Sequence, residues 1–269
     1  MTATAVRDAS APARPARPRP RWGLWLGLVG ALAVTVWAGA GIDFTLTPLF
    51  TDTLRGQRIL AQFFPPNWEY VLRVWPAWVE TLSIAVVASV VGCALALAAA
   101  LLASRVTAPG RVTHQVTRAV LSVVRSLPDV AYGLLFVAAV GTGALGGIMA
   151  LVLFNLGVAA KLTAETIDAV DLGPLEAADA VGANRVQRAV RAVLPQVAPN
   201  YLSYCLYVFE LNVRASVVIG IVGGGGIGNV LSVELARFRY DNLSALVVAL
   251  FVVVFAIDRV SRAARRRLV

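Results

Sequence analysis

Residues 77–103, AWVETLSIAVVASVVGCALALAAALLA, form the most Ala-rich and Val-rich stretch of the chain. About 20 residues of helix, rising ~1.5 Å each, cross a hydrocarbon core of ~30 Å, so this run is long enough to span a membrane. Its small side chains let neighbouring helices approach closely. Reading outward from it, similar runs occupy residues 22–41, 119–140, 145–167, 197–222 and, with their neighbours, 243–257. Arg125 and Pro128 interrupt the third span, and a short Gly141-Thr142-Gly143 turn leads into the fourth. The expected fold is all-α, a polytopic membrane protein of about six transmembrane helices.

Composition agrees. The 269 residues are 58% hydrophobic and 14% charged, with a mean hydropathy of +0.75, more apolar surface than a soluble domain can bury. The net charge of +9 comes almost wholly from arginine. No basic stripe is interleaved with stacking aromatics, which argues against a nucleic-acid partner and for membrane lipid. Cys93 and Cys205 lie inside apolar runs and read as small buried hydrophobes. His114 has no second ligand at useful spacing, so no metal site is expected.

The segments between the runs differ in character. Residues 1–21, rich in Ala, Pro and Arg, read as a disordered basic tail. The run at 22–41 ends in Ala38-Gly39-Ala40, which also resembles a signal cleavage site, although the run exceeds the usual signal core of about 7–15 residues. Residues 42–76 mix prolines, acids and aromatics and are expected to form an extracytoplasmic loop with interfacial pieces, Trp68, Tyr70, Trp75 and Trp78 sitting at the membrane surface. Residues 168–196 are polar and read as one or two short helices outside the bilayer, with the second, from about Ala183 to Leu194, lying beneath it. A basic tail closes the chain at 261–269. Placing both termini inside puts seventeen Arg residues in cytoplasmic segments and five in outer ones, the asymmetry that cytoplasmic loops favour.

Residues 176–195 read EAADAVGANRVQRAVRAVLP. Pro174 and Glu176 suit the first turn of a helix, Ala177 and Ala178 offer a small surface, and Gly182 turns the chain. The segment resembles the cytoplasmic signature of ABC importer permeases: Glu-Ala-Ala, three residues, Gly, nine residues, a hydrophobic position, one residue, Leu-Pro. Glu176, Ala177, Ala178, Gly182, Leu194 and Pro195 match, while Ala192 stands where that family prefers a bulkier Ile. Further strings are similar to those of phosphonate importer permeases: RSLPD at 125–129, GVAAKLTAE at 157–165, FELNVRAS at 209–216 and GIVGGGGIG at 220–228. Together they cover roughly residues 77–260, which the resemblance implies is the permease core, with 171–196 as its coupling segment and Arg185 among the coupling residues.

The resemblance implies a bacterial inner-membrane, multi-pass transport subunit without enzymatic activity of its own. Its partners would be ABC ATPase subunits, a second permease subunit and an extracytoplasmic substrate-binding protein, and this chain would bind no cofactor, ATP and Mg sitting on the ATPase. Phosphonate is the implied cargo, with phosphate, phosphite and methionine as alternatives. An ion-coupled secondary transporter is the rival class, which has no use for the 176–195 segment.

Ionisable groups at membrane depth are costly and face a bundle interior or a water-filled path. Arg125, Lys161, Glu165, Glu210 and Arg214 are such groups, and the pairs Lys161/Glu165 and Glu210/Arg214 have the i,i+4 spacing of a structural ion pair as well. A guanidinium at Arg125 or Arg214 offers bidentate donors to a phosphoryl group. The phosphonate-like strings add Ser126, Asp129, Asn212 and Ser216 to this candidate substrate path. Gly223, Gly224, Gly225, Gly226 and Gly228 are expected either to hinge a gate or simply to redirect the chain. No Lys-Ser or Lys-Thr follows them, so they do not form a nucleotide-binding loop.

Overall fold

Backbone amides and carbonyls have no water to bond in hydrocarbon, so the apolar runs satisfy them internally as helices. The computed structural model describes residues 22–42, 44–51 and 53–268, and among these no strand occurs. The basic tail expected over residues 1–21 lies outside the described residues, as do Asp43, Asp52 and Val269.

Two units are separated near Gln57. The first holds helices α1 (Trp22–Gly41) and α2 (Thr47–Thr51), and no residue of α1 is buried. Helix α3 (Thr53–Gln62) runs across the boundary.

The second unit opens with the short α4 (Trp68–Arg73), capped by the Asn67 side chain. Then come α5 (Trp75–Ala103), α6 (Arg111–Ser126), α7 (Asp129–Val140), α8 (Ala144–Asp168) and α9 (Gly173–Ala180). Helix α10 (Arg185–Arg188), a π turn (Ala189–Val193) and α11 (Leu194–Ile219) follow without interruption. A second π turn, Gly220–Gly224, leads into α12 (Gly226–Ala236) and α13 (Tyr240–Arg265). Among the described residues five helices are long and apolar enough to cross a membrane, and the bent pair α6–α7 makes up to six if it forms one span.

That bent pair corrects the third expected span. Its helix starts at Arg111, not Ala119, and breaks by 87° between Ser126 and Asp129. Hydropathy places the boundary at the last charge, whereas an amphipathic helix keeps its register through Arg111, His114 and Arg118. Pro128 lacks an amide hydrogen and forces Leu127 into an extended conformation (φ −94°, ψ 137°), so α6 cannot continue. The Tyr132 hydroxyl, reaching back across the break, donates to the Val124 carbonyl at 2.7 Å.

A second correction concerns residues 183–194, which form no separate helix beneath the bilayer. Arg185–Ile219 runs on as one helix through the π turn, and the path turns only at Gly223. Pro195 removes one helical hydrogen bond and Pro199 another, and the π turn just before them absorbs the register change. At the C-terminus α13 runs to Arg265, so the first half of the expected 261–269 tail is helical.

The core is built on α5 against α8. Gly92 lies flush with Asn155: a β-carbon at Gly92 would sit 2.6 Å from the Asn155 β-carbon. The fully buried Asn155 amide donates to the Ala88 carbonyl at 2.9 Å, stitching the two helices at their closest approach. Ile84, Ala88, Tyr132, Ala150, Leu151, Ala215 and Ile219 pack around this contact. Trp78 is 6% exposed and packs with Val217, Ile227, Leu231 and Leu246, so it is a core residue and not the interfacial anchor expected of it.

Gly92→Val is expected to destabilise the chain by at least about 1–3 kcal/mol, the usual cost of overpacking a filled contact. Thermal unfolding in detergent checks this, and an unchanged melting temperature would show the α5–α8 contact to be looser than described.

Candidate functional site

Three places hold the residues singled out by the sequence. The first is the turn between α9 and α10. Leu175 buries one side of α9, which leaves Glu176 and Ala177 exposed and Ala178 half-buried. Gly182 adopts φ +75°, a left-handed conformation, and no atom lies within 4 Å of where its β-carbon would be. Asn184 and Gln187 then form a reciprocal capping box that starts α10. Arg188 donates to both carboxylate oxygens of Asp179, at 3.1 and 3.0 Å, bracing the turn. Arg185 donates to the Pro109 carbonyl at 2.5 Å, tying the turn to the α5–α6 loop. Between the arms lies a cleft of about 470 Å³ floored by Ala177, Ala178, Gly182 and Ala192. Ala192, the departure from the bulkier residue, is buried, and Leu194 and Pro195 begin α11 above it. Asp179 as bracing partner was not singled out by the sequence; its nine-residue spacing from Arg188 bridges a glycine turn and follows no single helix.

The second place is the glycine run. Gly223 and Gly225 have φ of +102° and +84°, backbone that a β-carbon would strain. The Gly143 amide donates to the Gly223 carbonyl at 2.8 Å, and the Ile227 amide donates to the Thr81 hydroxyl at 2.8 Å, so the turn is pinned to α5 and to the start of α8. A β-carbon at Gly220 would lie 2.9 Å from the Gly228 α-carbon, which is how closely the two limbs meet. Gly224 and Gly226 are buried in the same turn. With 11 residues, ~16 Å long, α12 is half a span, so the glycines fold a re-entrant limb back beside α11.

The third comprises the ionisable groups in the spans, and the structure does not bring them together. Glu210, with its side chain 7% exposed, accepts from Arg214 one turn away and from Arg265 of α13 at 3.1 Å. The Arg265 guanidinium also lies 5.8 Å from the centre of the Tyr207 ring. Glu210 is therefore a clamp between α11 and α13, and its second arginine comes from a stretch that reads as a solvated tail in sequence. Asn212 is fully buried and donates to the Ser89 hydroxyl at 2.7 Å, while the buried Ser216 bonds the Val213 carbonyl at 3.0 Å. The first bond joins α11 to α5, and the second stays within α11.

Arg125, Lys161 and Glu165 lie elsewhere, between α6 and α8. Lys161 and Glu165 are 3.6 Å apart and about half exposed. Ser126 bonds the Val123 carbonyl at 2.7 Å, and Asp129 opens α7 by accepting from the Val130 amide at 2.9 Å. Arg125 has no acidic partner among the described residues.

A further network escaped the sequence reading. Glu234, 2% exposed, accepts from Tyr70 Oη at 2.9 Å and from the Asn242 amide at 2.7 Å, and Asn242 in turn accepts from Asn67 at 2.9 Å. It fastens α4 to α12 and α13. The only sequence signal is an acid inside an otherwise apolar helix. Burial pushes the Tyr70 phenol above its ordinary value of 10.0, and the bond to Glu234 and its charge push the same way, against Arg237 and Arg239.

Against this geometry, comparison with known proteins places the chain. Residues 92–269 match the family described as binding-protein-dependent transport system inner membrane component. The chain belongs to that family. It is 39% identical over 249 residues to the phosphite transport system permease protein PtxC of Stutzerimonas stutzeri, covering 91% of this chain and 90% of that one. It is 37% identical over 246 residues to the phosphate-import permease protein PhnE of Mycolicibacterium smegmatis, with 90% of this chain covered but only 46% of that protein, so the chain spans just under half its length. Among solved structures, the inward-facing MetNI methionine ABC transporter superposes with a TM-score of 0.63 at 21% identity, over 74% of this chain and 96% of that one. The fold is thus that of a type I importer permease, and the protein is a transport permease subunit of the multi-pass inner-membrane kind.

Two expectations follow for the permease. Glu210→Gln removes the charge that two guanidiniums share and is expected to cost about 1.5–3 kcal/mol, read as a lower melting temperature in detergent. Tyr70, with a phenol raised on folding, contributes stability that is full below its unfolded value and is lost as pH rises through the folded one. The melting temperature should therefore fall above about pH 10 in the parent protein, and Tyr70→Phe should start lower and flatten that fall.

Proposed function

We propose that this permease is the membrane-spanning subunit of an ATP-driven ABC importer for phosphoryl oxyanions, with phosphonate, phosphite and phosphate as its cargo class. The observation that carries the coupling half of this reading is the cleft at Ala177, Ala178 and Gly182: small, exposed, braced on both sides and continuous with a membrane-crossing helix. A side chain or helix of an ATPase fits such a surface. The carrying observation for the cargo is the likeness to relatives named for phosphate and phosphite.

In this reading Glu176, Ala177, Ala178, Gly182, Arg185, Leu194 and Pro195 form the coupling segment. The arginine asymmetry supports a cytoplasmic position for it and for both termini. ATP and Mg sit on the partner ATPases. Their closure pushes the α9–α10 turn, the push passes into the helix that carries α11, and the bundle switches between states open to either side. A second permease subunit completes the path, and an extracytoplasmic binding protein delivers the anion. The pinned glycine turn at Gly223, Gly224, Gly225, Gly226 and Gly228 closes the outer end of α11, and this favours a fixed re-entrant turn over a hinge. Asn212, Ser216, Glu210 and Arg214 act in packing, which leaves Arg125, Ser126, Asp129, Lys161 and Glu165 for the path.

The test is uptake into proteoliposomes holding the permease, its ATPase and its binding protein, with phosphonate, phosphite, phosphate and methionine compared. ATP-dependent uptake confined to the phosphorus oxyanions is the expected result. Uptake of methionine alone, or by the permease alone on an ion gradient, would overturn it. Gly182→Trp, which fills the cleft, is expected to leave the protein inserted and assembled while ATP-driven uptake drops at least about tenfold, equivalent to ~1.4 kcal/mol of coupling.

A further inference from the structure

The distribution of cations between α6 and α8 is uneven in a way that bears on where an anion rests. Arg118, Ser122 and Arg125 fall at i, i+4 and i+7 on one face of α6, and Lys161 and Ala164 face them from α8. Together with Leu121 and Ala103 they enclose a cavity of about 100 Å³, room for roughly three waters of ~30 Å³ each and so for one small tetrahedral anion. Arg125 also lines the larger cavity of about 580 Å³ at the 87° break, beside Ser126 and Asp129. It therefore stands between a wide chamber and a narrow one.

Charge in this place is not balanced. Among the described residues Arg118 meets His114 Nε2 at 3.4 Å and no acid, Arg125 has no acidic partner, and Lys161 shares Glu165 across 3.6 Å. Three cations thus face one acid. By contrast, Arg214 and Arg265 converge on the buried Glu210 and are held there. The Arg125 stem lies close against α8 at a glycine: a β-carbon at Gly157 would lie 2.6 Å from its Cγ. The side chains of Arg118, Arg125 and Lys161 are exposed along α6 and α8, and cations so placed on membrane-crossing helices face a water-filled path, where they attract an anion.

We propose that Arg118, Arg125 and Lys161 form a transit site for a tetrahedral phosphoryl oxyanion between α6 and α8. Arg125 supplies a planar pair of donors and Lys161 a point charge. Glu165 competes for Lys161 and so keeps the site from trapping its occupant. This inference rests on the cargo reading above.

The experiment uses the assembled transporter in nanodiscs of phosphatidylcholine, with Ser122→Cys as reporter and the parent chain as the blank for Cys93 and Cys205. A negatively charged methanethiosulfonate reagent should label the reporter at least about tenfold faster than a positively charged one of similar size, as attraction between unit charges a few ångströms apart implies. Arg125→Gln and, independently, Lys161→Gln should each reduce that preference several-fold, and soluble phosphite or phosphate should slow the labelling. Equal labelling by the two reagents overturns the site. Charge preference with protection by phosphatidylglycerol but not by soluble oxyanions overturns the transit role in favour of a lipid headgroup. Charge preference with protection by methionine but not by phosphite overturns the phosphoryl class, and would show that the cargo reading, and not the cationic site, had failed.

Discussion

The close approach of α5 and α8 is the constraint on which the other placements depend. In lipid no hydrophobic force draws helices together, so association relies on packing and on hydrogen bonds that need short distances. Gly92 supplies the short distance and Asn155 the hydrogen bond, to a backbone carbonyl of the facing helix. Around that seam α7 and α11 fill the remaining faces with Tyr132, Ala215 and Ile219. The glycine turn is fixed from the same side, because Thr81 of α5 and Gly143 before α8 hold its two ends.

Polar groups in the spans divide by whether the fold has already used them. Glu210 and Asn212, candidate path residues by sequence, are bonded across to neighbouring helices, and Ser216 is bonded within its own. Glu234 is likewise bonded across to Tyr70 and Asn242. An ion pair of this kind costs desolvation and returns specificity, fixing which helices meet and in what register. Arg125 has no acidic partner among the described residues and Lys161 pairs with a half-exposed Glu165, and this sets them apart from the buried clamp at Glu210.

Much of the architecture was legible because hydrocarbon thickness sets a length that apolar runs must meet. Trp22–Gly41, Trp75–Ala103 and Ala144–Asp168 lie within two residues of the runs read from sequence. The errors arose where hydropathy and helix geometry part company. Arg111 to Arg118 are polar yet helical, and Leu194-Pro195 looks like a stop but is absorbed by a π turn. Partners distant in sequence were not legible at all: Arg265 with Glu210, Tyr70 with Glu234 and Arg188 with Asp179 are set by tertiary contacts that no local spacing encodes.

The break at Leu127-Pro128 carries a consequence for backbone polarity. It falls 16 residues into a helix that starts at Arg111, ~24 Å along its axis. A helix that ends there leaves carbonyls of its last turn, and amides of the next helix's first turn, without helical partners. Tyr132 and Ser126 satisfy the Val124 and Val123 carbonyls, and Asp129 and the Pro128 carbonyl take up the Val130, Ala131 and Tyr132 amides. Backbone left open at such a break is tolerated in hydrocarbon only where it is buried in protein or lines a wet cavity. The proline thus leaves open backbone beside the cavity lined by Arg125, Ser126 and Asp129, so an anion at the proposed transit site would meet backbone polarity there as well as charge.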